Sequence, residues 1–180
     1  MTWVDEVIGF WFDTLRPVDW WSASPAIDGL CRERFGPLLD TLSADPPVPS
    51  TLDARGHLAA VLVFDQFPRH LFRGSARACA TDALAVALTV DAIDRGLDTS
   101  LRQPERQFLY MPLMHAEDGA LQQRSLAMFG RLDDPRSLRS ARAHHDTYTR
   151  FGRFPYRNDA LDRPSTAEEC AFLAKKPGPA

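Results

Sequence analysis

The chain has 180 residues, 44% hydrophobic and 25% charged, with a formal net charge of -3 and a pI near 5.9. That balance fits one packed domain over 1–180 and excludes a disordered chain or a strongly basic nucleic-acid binder. Its three cysteines, Cys31, Cys79 and Cys170, stand far apart without CxxC spacing, which speaks against a disulfide framework or zinc ribbon and for a reducing cytoplasm.

The N-terminal stretch MTWVDEVIGFWFD carries Asp5 and Glu6 ahead of its apolar run and lacks the basic leader of a secretory signal. No segment reaches the ~20 apolar residues of a membrane span, so neither membrane nor nucleic acid is an expected partner. Thr2-x-x-Asp5 reads as a capping box that opens a first helix through Val4, Val7, Ile8, Trp11 and Phe12, with Trp11 in the core. Residues 25–42 place Ile27, Leu30, Cys31, Phe35, Leu38 and Leu39 on a helical stripe that ends in the loop ADPPVPS. A third helix is expected from Leu52 to Phe64.

The run from Thr81 to Arg95 is rich in Ala and Leu, with Thr81 as its cap and Gly96 as its left-handed stop. Its apolar faces suggest a central position. A helical pattern resumes over 104–129, where Pro112 predicts a kink or split near Tyr110. Pro135 opens a helix that Gly152 and Pro155 end, and Thr166-x-x-Glu169 caps a short last one. No strand-like alternation of convincing length appears. The expected architecture is all-α: seven to eight helices in antiparallel pairs.

Three segments mix aromatics, prolines and charges more densely than a solvated helix face requires: FDQFPRHLFRG at 64–74, YMPLMHAED at 110–118 and RFGRFPYRN at 150–158. Polar groups emerging beside large apolar ones at proline-broken helix ends suit a pocket with apolar walls. With GFWF at 9–12 and STAEECAFL at 165–173, these blocks resemble the bacterial domain-of-unknown-function 924 family over nearly the whole chain. The resemblance implies an all-helical, repeat-like fold, a tetratricopeptide-like right-handed helical stack, and no particular activity. The matching positions are Asp65, Gln66, Arg69, Arg73 and Asp82, then His115, Glu117, Asp118 and Gln122, then His144, Arg150, Arg153, Arg157 and Asn158. His70 stands where Asn is usual, Ala116 where Ser is, Tyr156 where His is, and Asp162 where Gly is.

His115, Glu117 and Asp65 are the catalytic candidates. A histidine titrates near neutrality and a neighbouring carboxylate can orient its ring, although residues two apart on a regular helix diverge, so His115 can instead pair with Asp118. Gln66, Arg69, Arg73, His144, Tyr148, Arg150, Arg153, Arg157 and Asn158 are the substrate-binding candidates, with guanidiniums suited to a carboxylate or phosphate. The plainer account of the arginines is that they staple helix ends through Asp65, Asp82, Glu117 and Asp118. At least one of Arg153 and Arg157 is expected to face the pocket.

His144 is expected to point inward in preference to His145, with Tyr148 one turn along. A metal set of His115, Glu117, His144 and His70 is conceivable, but no HExxH or paired Glu-x-x-His motif demands it, so neither metal nor cofactor is expected. Cys79 and Cys170 read as buried structural thiols. The leading expectation is a hydrolase- or lyase-type enzyme acting on a small anionic molecule. The rivals are a helical module that grips a peptide or protein, and a set of motifs that only lock the fold. The N-terminal tryptophans leave a homodimer open.

Overall fold

The computed structural model describes residues 2–21 and 24–175; residues 1, 22–23 and 176–180 of the expected domain lie outside the described residues. Among those described there are eight helices and no strand. They are α1 (3–14), α2 (Pro25–Ala44), α3 (54–71), α4 (Asp82–Asp94), α5 (Gln103–His115), α6 (Gly119–Phe129), α7 (Pro135–Phe151) and α8 (Ala167–Lys175). Short turns of single 3-10 type join several of them.

Local chemistry sets most of the ends. Thr2 and Asp5 exchange their bonds as a capping box, the Asp5 N–H donating to Thr2 Oγ1 at 3.2 Å. The same exchange joins Thr166 and Glu169. Gly96 and Gly152 stop their helices at φ 69° and 68°, the left-handed region that glycine enters without a Cβ clash. Asp162, where the resemblance leads one to expect glycine, adopts φ 52° in the left-handed region.

The central helix is α3, not the Ala/Leu-rich α4. Every residue from Gly56 to Pro68 is buried, whereas α4 buries Ala85, Leu88, Thr89 and Ala92 and leaves its other residues half-covered or exposed. The seven-residue apolar run Leu58–Phe64 explains this, since a helix apolar all round is stable only when surrounded. Around it Phe35 stacks on Phe67 at 4.4 Å, and Trp11 meets Phe67 and Phe108 edge-on at 5.8 and 5.3 Å. Trp11 is fully buried, as its spacing predicted.

Two expectations about helix integrity are corrected. Helix α3 does not end at Phe64 but continues to Leu71, because residues Leu62–Gln66 wind as a wider π turn that accommodates Pro68 at the start of the next α segment. Pro112 does not split α5, which runs unbroken to His115. Thr89 Oγ1 donates to the Leu109 carbonyl at 2.9 Å there, one residue from the Phe108 carbonyl that the proline deprives of a donor. The end of α5 is held by Gln122, whose amide donates to the Met114 and Ala116 carbonyls at 2.8 and 2.7 Å.

Candidate functional site

The site begins at the π turn in α3. Thr81 stands at the N-cap of α4 as expected, but its hydroxyl makes no cap bond; it donates to the Phe64 carbonyl at 2.6 Å, four residues before Pro68, which has no N–H to give. The next carbonyl, Asp65 O, accepts from Arg69 Nη1. Such turns recur at functional sites because they re-aim side chains without ending the helix. Here the turn carries Asp65 toward the C-terminal end of α5.

Asp65 Oδ1 lies 2.7 Å from His115 Nδ1. The carboxylate is fully buried, and it also accepts from Gln66 Nε2 and faces Arg69 Nη1 at 3.3 Å. Burial alone raises a carboxyl pKa, but the Arg69 charge and the hydrogen bonds from His115 and Gln66 outweigh it and hold Asp65 below the ordinary range. For His115 the balance reverses: burial drives the imidazole below its usual value, helped by Arg69 and His144 and opposed by Asp65. The resting pair is therefore an ionised Asp65 and a neutral His115 that donates Nδ1–H and keeps its lone pair on Nε2.

Two further imidazoles are anchored the same way. His70 Nδ1 lies 2.7 Å from Asp28 Oδ1, a carboxylate that also accepts from Arg73 at 3.0 and 3.2 Å. His144 Nδ1 donates to the Ser140 carbonyl at 2.9 Å, and its ring faces that of His115 at 6.0 Å. Burial lowers the pKa of both rings, against the raising effect of Asp28 on one and of the Ser140 carbonyl on the other. His70, His115 and His144 together line a cavity of about 290 Å³ whose other walls include Trp20, Trp21, Met111 and Met114. His145 instead bonds Gln123 outside it.

His115, Arg69 and Arg73 also border an adjoining cavity of about 240 Å³, which adds Cys79, Tyr156 and Arg157. Burial pushes the Tyr156 phenol up to about 12 although Arg157 and Arg69 pull it down. Arg69 grips Asp82 with both arms, at 3.0 and 3.2 Å, while Arg157 reaches Asp82 only at 3.5 Å and lies over the Phe154 ring at 5.0 Å. Three guanidiniums thus face Asp28, Asp65 and Asp82, three carboxylates, and the site carries no surplus positive charge.

A family of bacterial proteins of unknown function, domain of unknown function 924, matches residues 7–177. The chain belongs to this family. A solved protein of unknown function from Agrobacterium tumefaciens is 36% identical, over 96% of this chain and 97% of that one, with a TM-score of 0.90. No curated protein matches. No helix among the described residues is long and apolar enough to cross a membrane.

Several of the family-block residues lie outside the cavities. Glu117 does not approach His115; it binds Arg163 through both oxygens, at 2.7 and 2.9 Å, and accepts the Phe154 N–H at 2.7 Å. Its place two residues beyond His115, past the end of α5, turns it toward the 154–163 loop. Asp118 does not pair with His115 either, since it caps α6 through the Leu121 N–H at 2.9 Å. Arg150 binds Glu168 on the surface, and Arg153 binds Glu169 at 2.6 and 2.8 Å. Buried Asn158 donates to Ser165 at 3.0 Å, and Tyr148 lies beside Gly119 at the start of α6. Of the arginine pair at 153 and 157, only Arg157 faces the cavity.

The structure also brings in residues that sequence reasoning passed over. Met111 and Met114 precede His115 by four and one residues, and the first spacing places Met111 on the face of His115. Asp28 gave no signal, because its partner His70 is 42 residues away. Among the thiols only Cys31 is buried; Cys79 is half-covered at the cavity and Cys170 is exposed. Among the described residues no three His, Cys, Asp or Glu side chains converge as a metal site.

Proposed function

We propose that the chain is a small-molecule enzyme of hydrolase or lyase type whose chemistry is proton transfer at His115 Nε2. The observation that supports this reading is the 2.7 Å pairing of His115 Nδ1 with a buried, ionised Asp65 at the border of both cavities. Asp65 fixes the tautomer and offsets the charge of the imidazolium as it forms. No hydroxyl or thiol bonds His115 among the described residues, so the proton comes from water or from the substrate itself. In hydrolysis His115 takes a proton from the attacking water and returns it to the leaving group; in elimination it takes the proton from carbon and returns it to the departing oxygen.

Arg157, the least committed of the three cavity guanidiniums, is the group assigned to an anionic substituent, a carboxylate or phosphate. The three cysteines are all free, which supports a reducing, cytoplasmic setting. The test is a panel of chromogenic carboxylic and phosphoric esters and β-hydroxy acids assayed with the wild type, His115→Ala and Asp65→Asn. General-base catalysis contributes about 100- to 10,000-fold, and a loss of that size in both variants is expected. Full turnover in a folded His115→Ala variant sinks the assignment.

A further inference from the structure

The cavity of the three imidazoles does not end at Met111 and Met114. Both methionines, with Trp21 and Ser140, also line a neighbouring cavity of about 270 Å³ that runs on to Phe129. No carboxylate borders this far lobe; its polar lining is Gln107, Arg136, Ser137 and Ser140, and the Ser137 hydroxyl is already given to Asp134. On the other side of His115 the walls are Arg69, Arg73, Tyr156 and Arg157. The space on the two sides of His115 is therefore graded, crowded with paired charges at one end and mainly apolar at the other, where the exposed Arg136 is the one charged lining residue.

Resting on the reading of His115 as the proton-transfer group, we propose that the far lobe is a subsite for an unbranched apolar chain, and that the substrate is an amphiphile. Its polar, anionic head lies between His115 and Arg157, and its hydrocarbon arm runs past Met111 and Met114 toward Phe129. Two flexible thioethers suit such an arm, because they adapt to a chain of varying conformation at little cost. The Trp21 indole, stacked on Phe108 at 5.7 Å, covers the junction of the two lobes. A compact polar substrate would leave this apolar lobe filled with water.

The experiment is calorimetric titration of the full chain with straight-chain carboxylates from butanoate to decanoate, all below their micellar concentrations. Each methylene buried should raise affinity about three- to fourfold. Ser140→Phe, at an exposed position that lines both lobes, plugs the arm's path and should flatten that dependence, while Ser140→Ala should leave it intact. Affinity independent of chain length, or the same rise in Ser140→Phe, overturns the subsite. His115→Ala separates the two ideas. Its chain-length dependence should persist as turnover is lost; if turnover survives, the base assignment falls and the subsite stands.

Discussion

Acidification should weaken this fold well before its carboxylates are protonated. His70, His115 and His144 are held neutral, with folded pKa values below the ordinary 6.5 because burial outweighs their acceptors. Unfolding lets each take up a proton, so their contribution is complete above about pH 6.5 and drains as pH falls below it. Asp65 and Asp28, depressed below 3.8, lose theirs only at still lower pH, so the interval between about pH 7 and pH 5.5 belongs to the histidines. A histidine that stays neutral throughout contributes about 1.2 kcal/mol of loss over that interval, and three contribute up to about 4 kcal/mol. Urea unfolding at the two pH values measures it, and His70→Asn should shrink the change. Equal midpoints at both pH values, or an undiminished change in His70→Asn, would refute the reasoning.

Thr81→Val keeps the shape of the side chain but strips the Phe64 carbonyl of its donor. It should cost about 1–3 kcal/mol, read as a lower midpoint in urea. Glu117→Ala breaks the clasp to Arg163 and the Phe154 N–H without touching His115. Its cost should be on the order of 2 kcal/mol, seen as a lower Tm, with kcat for whatever substrate the ester panel identifies within a few-fold of wild type. A collapse of kcat in a stable Glu117→Ala protein would return that carboxylate to the chemistry.

What could be read from the sequence was what is decided within one turn of chain. The capping boxes at Thr2 and Thr166 and the glycine stops at 96 and 152 depend on neighbours three or four residues away, and each forms as its pattern indicates. The effects of Pro112 and of the Thr81 hydroxyl are decided farther away. Whether a proline breaks a helix depends on what arrives beside it from elsewhere: Thr89 of α4 bonds the Leu109 carbonyl next to the deprived one, and Thr81, from the turn before α4, bonds the Phe64 carbonyl. The site divides in the same way. The blocks marked Asp65, Gln66, Arg69, Arg73, His115, His144 and Arg157, which do gather, but the pairing of His115 with Asp65 across 50 residues, in place of nearby Glu117, is set by the packing of α5 against α3.

The π turn at Leu62–Gln66 also makes the site vulnerable to a change that would leave the fold almost untouched. One residue deleted from the turn would restore ordinary winding at about 100° per residue, and the helix would remain continuous and apolar. Because a π turn takes up one more residue than an α turn, the segments on either side would keep their phase and Arg69 and His70 their places, while the residues of the turn itself, Asp65 among them, would be re-aimed. A homologue shortened by that single residue would keep its helices while losing the alignment that joins Asp65 to His115, so the length of this segment, as much as its composition, marks which relatives retain the site.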